Sequence, residues 1–453
     1  PPPPPPHLFF FKAYHAIPAS QESRGLGDVY KRQISYSLSS SAYDGQDGIL
    51  FYLPIEISDT LKPEIFILSA IKTVISSISG TNIASNLSTV GTIKVGNFNP
   101  NAINDSYLLD EDILLEAVLK NANINEGRPE QSVGREGIDY YNRLGYVPYD
   151  VGINENAARS LEYAYADFTI AEMTKKMNKT EISKRFYKQS KNYKNLFDPE
   201  TKWMRGKNED GTFQSPFNPL KWGDAFTEGN SIHYTWSVFH DVQGLIDLMG
   251  GDLEFTKMLD TVFTMPPKFD DSYYGFTIHE IREMQIVNMG NYAHGNQPVQ
   301  HMIYLYNYAK QPWKAQDKVR EVMKKLYSAT PDGYCGDEDN GQTSAWYIFS
   351  ALGFYPVTPS VPQYVFGSPL FKKVTISLMN GNKFTINAED NKYDNHYIKS
   401  LKLNGRNYNK TWIDYNDIKK GGSLYFEMDD VPNKQFGISR MSSPFSMTKN
   451  KKY

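Results

Sequence analysis

The sequence predicts a mainly helical protein, an α/α toroid followed by a small antiparallel β domain. Helix-length amphipathic segments follow one another after Asp150, and the loops between them are long and rich in turn-forming residues. After Pro356 the hydrophobic period changes to two, and the pair Asn380-Gly381 divides two alternating runs. Paired helices around a common core, with a hairpin domain after them, would produce both patterns.

The helical part is predicted to begin after the acidic run at 110–112, because carboxylates favour a helix N-terminus. The later predicted helices span about 156–177, 180–195, 230–249, 252–263, 296–309, 313–328 and 341–353. We therefore assign residues 110–360 to an α/α-barrel domain.

Residues 361–447 are assigned to a C-terminal β domain. Alternation on either side of Asn380-Gly381 predicts a hairpin with a type I′ turn. Asn404-Gly405 repeats the signal, and a third alternating run predicts a further strand. The alternating apolar residues are Val374, Ile376 and Leu378, then Phe384, Ile386 and Ala388, and finally Leu424, Phe426 and Met428.

The first third of the chain gives weaker signals. Residues 1–33 open with six prolines and contain a stretch at 23–33 that is similar to a translated sequencing adapter, so we expect a non-native leader. A native disordered leader is the alternative. Residues 34–109 are rich in Ser, Ile and Asn without a sustained helical period, and we leave them unassigned as divergent sequence.

Composition excludes several classes of function. With 48 basic and 51 acidic side chains the formal charge is −3, so no net field attracts nucleic acid. The single cysteine, Cys335, excludes an internal disulfide framework and a multi-cysteine zinc site. No run of 18 apolar residues predicts a transmembrane helix, and no signal-peptide pattern stands at the N-terminus. We expect neither nucleic acid nor a membrane span.

The aromatic content of 14%, with 32 tyrosines and 25 phenylalanines, has two interpretations. One is a core and surface rich in tyrosine. The other is a carbohydrate site, because aromatic faces cover the apolar face of a sugar ring.

Glu228 is the first candidate for chemistry. It lies between Phe226 and Gly229 at the start of a predicted helix. A glutamate buried beside aromatic rings has a raised pKa and can deliver a proton to a leaving glycosidic oxygen. Alternatively, it is only a helix N-terminal carboxylate stabilised by the dipole.

The second candidate is the acidic run at 337–339, which stands between Gly336 and Gly341. Asp337 and Asp339, two residues apart, could both face a cleft if the loop is extended, one activating water and the other positioning it. A solvated turn or a helix cap would explain one of the three acids, and metal binding is a further alternative.

His279-Glu280 is the third candidate. It is not a zincin motif, because no second histidine follows the glutamate at helical spacing. Nearby oxygen donors, Glu283 and Asn296, would suit calcium, a hard cation that also binds sugar hydroxyls. A pair of surface charges on a helix is the alternative. Neither a nucleophilic-serine motif nor a P-loop occurs.

Taken together, these blocks resemble glycoside hydrolase family 92, the calcium-dependent α-mannosidases. The resemblance runs from about Gly145 to Pro444. The matching blocks are GYVP at 145–148, RSLEYAY at 159–165, MRG at 204–206, FTEGN at 226–230, HGNQP at 294–298, GDEDNG at 336–341 and GSPLF at 367–371.

The resemblance implies an (α/α)6 barrel and exo-acting hydrolysis with inversion, with Ca2+ binding and distorting the terminal mannose. Glu228 matches the general acid, and Asp337 and Asp339 match the base and its support. His279-Glu280 matches a pair that contacts the leaving sugar in α-1,2-mannosidases. Contacts with substrate are also expected for Trp222 and for Arg205, which stands in the MRG block, and calcium ligation is expected for Glu283 and Asn296.

The resemblance also implies a mannose-containing glycan, an N-glycan or mannan, as partner and a periplasmic or secreted bacterial location. Ile232 stands where the family usually has tryptophan, a change that would loosen the pocket. Family members carry an N-terminal β-sandwich domain that closes the site, so we expect a fragment whose toroid is incomplete at its N-terminal end. The alternatives are another α/α-barrel glycosidase or phosphorylase, a non-catalytic mannose-binding fragment, and a misassembled translation that does not fold.

Overall fold

The structure is a computed structural model. It describes residues 55–57, 111–123, 134–330, 333–339, 341–378, 380–392 and 394–449. The predicted leader at 1–33 lies outside these ranges. Within them, no helix has the length and apolar character needed to cross a membrane.

The described chain is mainly helical. Its α-helices are α1 (Glu111–Asn123), α2 (Ile138–Leu144), α3 (Asn156–Lys176), α4 (Thr180–Gln189), α5 (Ser231–Tyr234), α6 (Val242–Met249), α7 (Asp252–Thr264), α8 (His279–Val287), α9 (Pro312–Leu326), α10 (Gln342–Leu352) and α11 (Tyr415–Lys419). Short 3-10 helices cover Tyr149–Val151, Asn192–Leu196, Gln297–Val299, Met302–Asn307 and Met447–Lys449.

The helices predicted at 156–177, 252–263, 313–328 and 341–353 are confirmed, as α3, α7, α9 and α10. The helix predicted at 230–249 is wrong in its middle, because Asp241 caps a new helix by accepting the Gly244 N–H at 3.4 Å. The segment at 296–309 forms 3-10 turns instead of an α-helix. All six residues of Met302–Asn307 are buried, so this segment has no polar face from which a period could be recognised.

Two small sheets complete the fold. Their strands are β1 (Ile55–Ile57), β2 (Phe354–Tyr355), β3 (Gln363–Phe366), β4 (Lys373–Ser377), β5 (Lys383–Asn387), β6 (Tyr397–Leu403), β7 (Arg406–Asn407), β8 (Trp412–Asp414) and β9 (Gly422–Asp429). One sheet has the order β1-β4-β5-β9-β6-β7, and the other has β2-β3-β8. The strand β1 comes from the stretch that the sequence left unassigned.

The prediction of a purely antiparallel domain is wrong for one pair, because β5 and β9 run parallel. The chain between them, which contains β6 to β8 and α11, is long enough for the crossover that a parallel pair requires. The alternating residues of the three predicted strands point into one core, which contains Val374, Phe384 and Phe426.

The two Asn-Gly turns differ. At Asn404-Gly405 both residues have positive φ, 51° and 77°, and Leu403 pairs with Arg406, as a type I′ turn requires. At Asn380-Gly381 the type I′ prediction is wrong. The Leu378 N–H donates to the Asn382 carbonyl at 2.8 Å, which leaves three residues in the loop where a type I′ turn has two.

Hydrogen bonds to Asp241 hold the C-terminal segment against the helical core. The side chain has no exposed surface, and its carboxylate accepts hydrogen bonds from Tyr193 (2.9 Å), Ser446 (2.9 Å) and both the N–H and the hydroxyl of Thr448 (2.7 and 2.6 Å). Burial alone would raise the pKa of Asp241, but the hydrogen bonds from Thr448 and Ser446, together with His240, hold the pKa below its ordinary value.

Asp241→Asn is therefore expected to lower the free energy of unfolding by about 2–4 kcal/mol, because an amide cannot accept the same set of hydrogen bonds. Since the folded pKa is lowered, the stabilisation is full above the unfolded pKa, about 3.9, and is lost as the pH falls through the folded value. Urea unfolding at pH about 7 and about 3 measures both effects. The exposed Asp247→Asn on the same helix is the control, and equal losses in the two variants would contradict this role.

Candidate active site

Glu228 lies at the tip of a closed loop. The Gly223 N–H donates to the Gly229 carbonyl at 2.9 Å, and the Asn230 side chain caps α5 by accepting the His233 N–H at 3.1 Å. Glu228 itself has a φ of +44°, which is uncommon for a residue with a side chain and is held here by the closed loop. The loop thus fixes a half-buried carboxyl group at the mouth of a helix.

Trp222 is a buried residue directly before this loop. Its side chain is fully buried and meets the His233 ring edge-on at 4.9 Å. Burial lowers the pKa of His233 to about 4, so the imidazole stays neutral at physiological pH. Because no part of the Trp222 ring is exposed, the structure gives it a supporting position and not one that could face a sugar.

Tyr274 links Glu228 to the His279-Glu280 pair. The pKa of Tyr274 is raised by burial and by the nearby carboxylates of Glu228, Glu155 and Glu280. The phenol is therefore within electrostatic reach of two predicted site residues, Glu228 on the acid loop and Glu280 in the first turn of α8.

His279 is more than half exposed at the start of α8 and holds two glutamates. Its Nε2 lies 3.1 Å from Glu280 Oε1, and its Nδ1 lies 3.0 Å from Glu283 Oε1. Burial opposes protonation, but the two carboxylates and Asp337 together raise the pKa of His279. The pKa values of Glu280 and Glu283 are raised by burial, with a further contribution from Asp337. The structure therefore brings Asp337 to this cluster.

Glu338, one of the three adjacent acids, caps a helix. Its carboxylate accepts the backbone N–H groups of Gly341 (2.6 Å) and Ser344 (3.4 Å) at the start of α10. The Thr343 hydroxyl donates to the Asp337 carbonyl at 2.9 Å. This arrangement leaves Asp337 exposed, which agrees with the alternative that a cap accounts for one acid of the run.

The segment 294–297 connects the acid loop to the aspartate loop. The Asn296 amide donates to the Glu228 carbonyl at 2.5 Å, and the Gln297 amide donates to the Asp339 carboxylate. Gln297 was not predicted as a site residue, although it stands in the HGNQP block, and its position beside the predicted Asn296 was the only available signal.

His294 anchors that segment in the core. Its ring nitrogens are hydrogen-bonded to the hydroxyls of Tyr292 (2.7 Å) and Tyr327 (2.8 Å), and Trp346 packs edge-on against it at 4.3 Å. Burial lowers the pKa of His294 to about 3, so it remains a neutral structural group.

Glu283 and Asn296 fit a hard cation in part. Glu283 Oε2 is buried without a hydrogen-bond partner among the described residues. The backbones of Gly295 and Gly336 approach it so closely that a Cβ on either would stand 2.7 Å away. Where the structure describes the chain, it shows no cluster of three Asp, Glu, His or Cys residues that could hold a metal. Further ligands would be carbonyl or amide oxygens, water or a sugar.

The contacts of Arg205 lie in another loop. Its guanidinium pairs with Asp198 at 2.9 Å, donates to the Gln214 carbonyl and lies 4.7 Å from the centre of the Phe217 ring. These contacts shape the loop at 198–217, and none of them joins Arg205 to Glu228 or the aspartates.

The geometry places a carboxyl group, Glu228, on one loop and the carboxylates Asp337 and Asp339 on another, with the segment 294–297 between them. Such an arrangement can donate a proton on one side of a bound molecule and activate water on the other.

Comparisons with known proteins agree with this chemistry. Residues 67–430 match the family described as the glycosyl hydrolase family 92 catalytic domain. The match begins within the stretch that the sequence analysis left unassigned. The family GH92 inverting mannosidase from Bacteroides thetaiotaomicron is 48% identical with a TM-score of 0.68, covering 75% of this chain and 46% of its own.

Two further relatives have similar coverage. A family GH92 alpha-mannosidase from the same bacterium, solved in complex with mannoimidazole, is 35% identical with a TM-score of 0.67, covering 75% of this chain and 43% of that one. A protein named uncharacterized secreted glycosidase from Arthroderma benhamiae is 27% identical over 350 residues, which are 70% of this chain and 42% of the relative. The chain thus spans less than half the length of these relatives.

Proposed function

The chain belongs to glycosyl hydrolase family 92, and from this membership we propose that it carries the acid and base of an exo-acting, inverting α-mannosidase. The observation that supports the proposal most directly is the pair of hydrogen bonds from Asn296 and Gln297 to the loops of Glu228 and Asp339. We also propose that the helices form part of an (α/α)6 toroid, in keeping with the likeness to the family's solved structures.

In the proposed reaction Glu228 donates its proton to the glycosidic oxygen while the bond from that oxygen to the anomeric carbon breaks. One of the two aspartates removes a proton from water, and the other orients that water. The water oxygen bonds to the anomeric carbon from the opposite face, so the configuration inverts. Inversion requires room for the water between acid and base, about 6.5–9.5 Å between their carboxyl groups.

His279 and Glu280 are proposed to contact the leaving sugar, which favours an α-1,2 linkage. Three features support this role. His279 is more than half exposed, the pair lies beside Asp337, and Tyr274 interacts electrostatically with both Glu280 and Glu228. Trp222 and Arg205 then act indirectly, Trp222 beneath the acid loop and Arg205 in the loop at 198–217.

Glu283 and Asn296 are proposed to hold Ca2+, for which the buried, unpartnered Oε2 of Glu283 is the supporting observation. A bound calcium ion would supply positive charge and ligand positions for sugar hydroxyls. The remaining steps fall to the chain's own residues. Asn296 also orients Glu228 through the backbone carbonyl, and His279 holds Glu283 in place through its Oε1.

The proposed substrate is a terminal mannose of an N-glycan or mannan, and the proposed location is outside the cytoplasm. The relative in complex with mannoimidazole supports the first proposal, and the relative named as secreted supports the second.

Glu228→Gln is expected to lower kcat for α-1,2-mannobiose by about 10²–10⁴-fold, because the amide cannot protonate the leaving oxygen. A dinitrophenyl α-mannoside should lose far less, since its leaving group needs no proton. Initial rates on both substrates measure the difference.

The matched control is Glu338→Gln, which makes the same change from acid to amide at the cap of α10. Its effect should be equal on the two substrates and small. Equal losses on both substrates for Glu228→Gln would contradict the role of Glu228 as the acid.

Glu283→Gln is expected to weaken calcium binding by at least about 10–100-fold, the loss that follows when even an outer partner of a metal ligand is replaced. Burial and Asp337 raise the pKa of Glu283, so the carboxylate takes up a proton at a higher pH than an ordinary glutamate. Calcium affinity of the unaltered chain should therefore fall as the pH is lowered, and the fall should begin above the ordinary glutamate pKa of about 4.3.

Calorimetric titration with calcium chloride, without any sugar, measures both expectations. An affinity equal in Glu283→Gln and the unaltered chain would exclude Glu283 as a ligand.

A further inference from the structure

Two exposed aromatic rings stand on the loop between α7 and α8. Tyr273 is 41% exposed and Phe276 is 52% exposed, although both are large and mainly apolar. Exposed aromatic rings close together are a frequent sign of a binding surface, and sugars in particular bind on ring faces.

The loop that carries the rings is joined directly to the proposed active site. At its start, the Trp222 N–H donates to the Asp270 carbonyl at 2.9 Å, and the Asp270 N–H donates to the Leu220 carbonyl at 2.9 Å. At its end, it leads into His279 at the start of α8. The loop therefore spans from the Glu228 side to the side proposed for the leaving sugar.

The backbone that carries the rings is held by hydrogen bonds. The Asp271 carbonyl accepts the N–H groups of Tyr274 (3.0 Å) and Gly275 (3.1 Å), and the Asp271 carboxylate accepts the Thr277 hydroxyl at 2.5 Å. Gly275 has a φ of +74°, which closes the turn between the two exposed rings. A surface ordered before binding loses little entropy when a ligand arrives.

Tyr273 lies directly over the acid loop. A Cβ at Gly223 would stand 2.3 Å from the Tyr273 ring, and the Gly223 N–H is the one that closes the loop onto Gly229, next to Glu228. Tyr273 meets Tyr274 edge-on at 5.3 Å, and Glu228 and Glu280 both contribute to the raised pKa of Tyr274. The exposed rings thus continue outward from the leaving-sugar side.

We propose that Tyr273 and Phe276 form a platform for the sugar that follows the leaving sugar in a longer glycan. This inference rests on the proposed function, because removal of a terminal mannose leaves the rest of the glycan attached to the leaving sugar, on that side of the site. The platform would make the enzyme prefer an oligosaccharide to a disaccharide with the same terminal linkage.

The test compares kcat/KM for α-1,2-linked mannotriose and α-1,2-mannobiose. In the unaltered chain the trisaccharide should be preferred, and in Phe276→Ala and Tyr273→Ala the ratio of trisaccharide to disaccharide should fall by about threefold to tenfold, the size of one aromatic contact. Phe276→Leu keeps apolar volume without a ring and should lose the preference as well, whereas Phe276→Trp should keep it.

Leu253→Ala is the control, since Leu253 is an exposed large side chain, 79% exposed, on α7 outside this loop. Its ratio should equal that of the unaltered chain, and thermal melting of each variant shows whether the fold is kept. A ratio that stays the same in both ring variants, with both substrates still hydrolysed, would overturn the platform alone. If the unaltered chain hydrolysed neither substrate, the proposed function and the platform would both be refuted.

Discussion

The geometry of the site depends on the segment 294–297, which hydrogen-bonds to two loops that are far apart in sequence and carry the proposed acid and the proposed aspartates. Its first residue, His294, is locked between two tyrosine hydroxyls in the core and kept neutral by burial. Two residues later the chain reaches Glu228 through Asn296, and the next residue reaches Asp339. The hydrogen bond to the charged Asp339 carboxylate contributes about 1.5–3 kcal/mol, and the one to the neutral Glu228 carbonyl about 0.5–1.5 kcal/mol. A single buried anchor therefore sets where the acid stands relative to the aspartates.

Close backbone packing carries this constraint to the rest of the site. Gly295 and Gly336 approach each other so closely that any side chain on either would collide with the other's backbone or with Glu283. The oxygen of Glu283 that lies between them is buried and has no hydrogen-bond partner in the described part of the chain. The close approach of Gly295 and Gly336 thus brings the proposed calcium side and the aspartate loop together. Hydrogen bonds of Glu338 and Thr343 hold the same loop against the start of α10.

Helices and strands whose apolar residues recur with a clear period were predicted from the sequence, and segments without such a period were not. In α9 the buried residues recur every three or four positions, and in β5 every second residue is buried, so the positions of these elements could be predicted. Met302–Asn307 is buried on every side, and its 3-10 turns left no such trace. The same limit applies to Trp222. An aromatic ring next to an acid suggests a sugar contact, and only the fold shows that its faces are covered. Arg205 was predicted from its block, whereas its partners, Asp198 and Gln214, are tertiary contacts.

The central claim is that Glu228 and the two aspartates act from opposite faces of the sugar, and the stereochemistry of the product tests it most directly. Proton NMR during the first turnovers of an α-mannoside identifies the anomer that is released before mutarotation mixes the two forms. If the acid and the aspartates act from opposite faces, β-mannose appears first and α-mannose only later. Release of α-mannose first would require a nucleophilic carboxylate and a shorter separation of the acids, and would contradict the account.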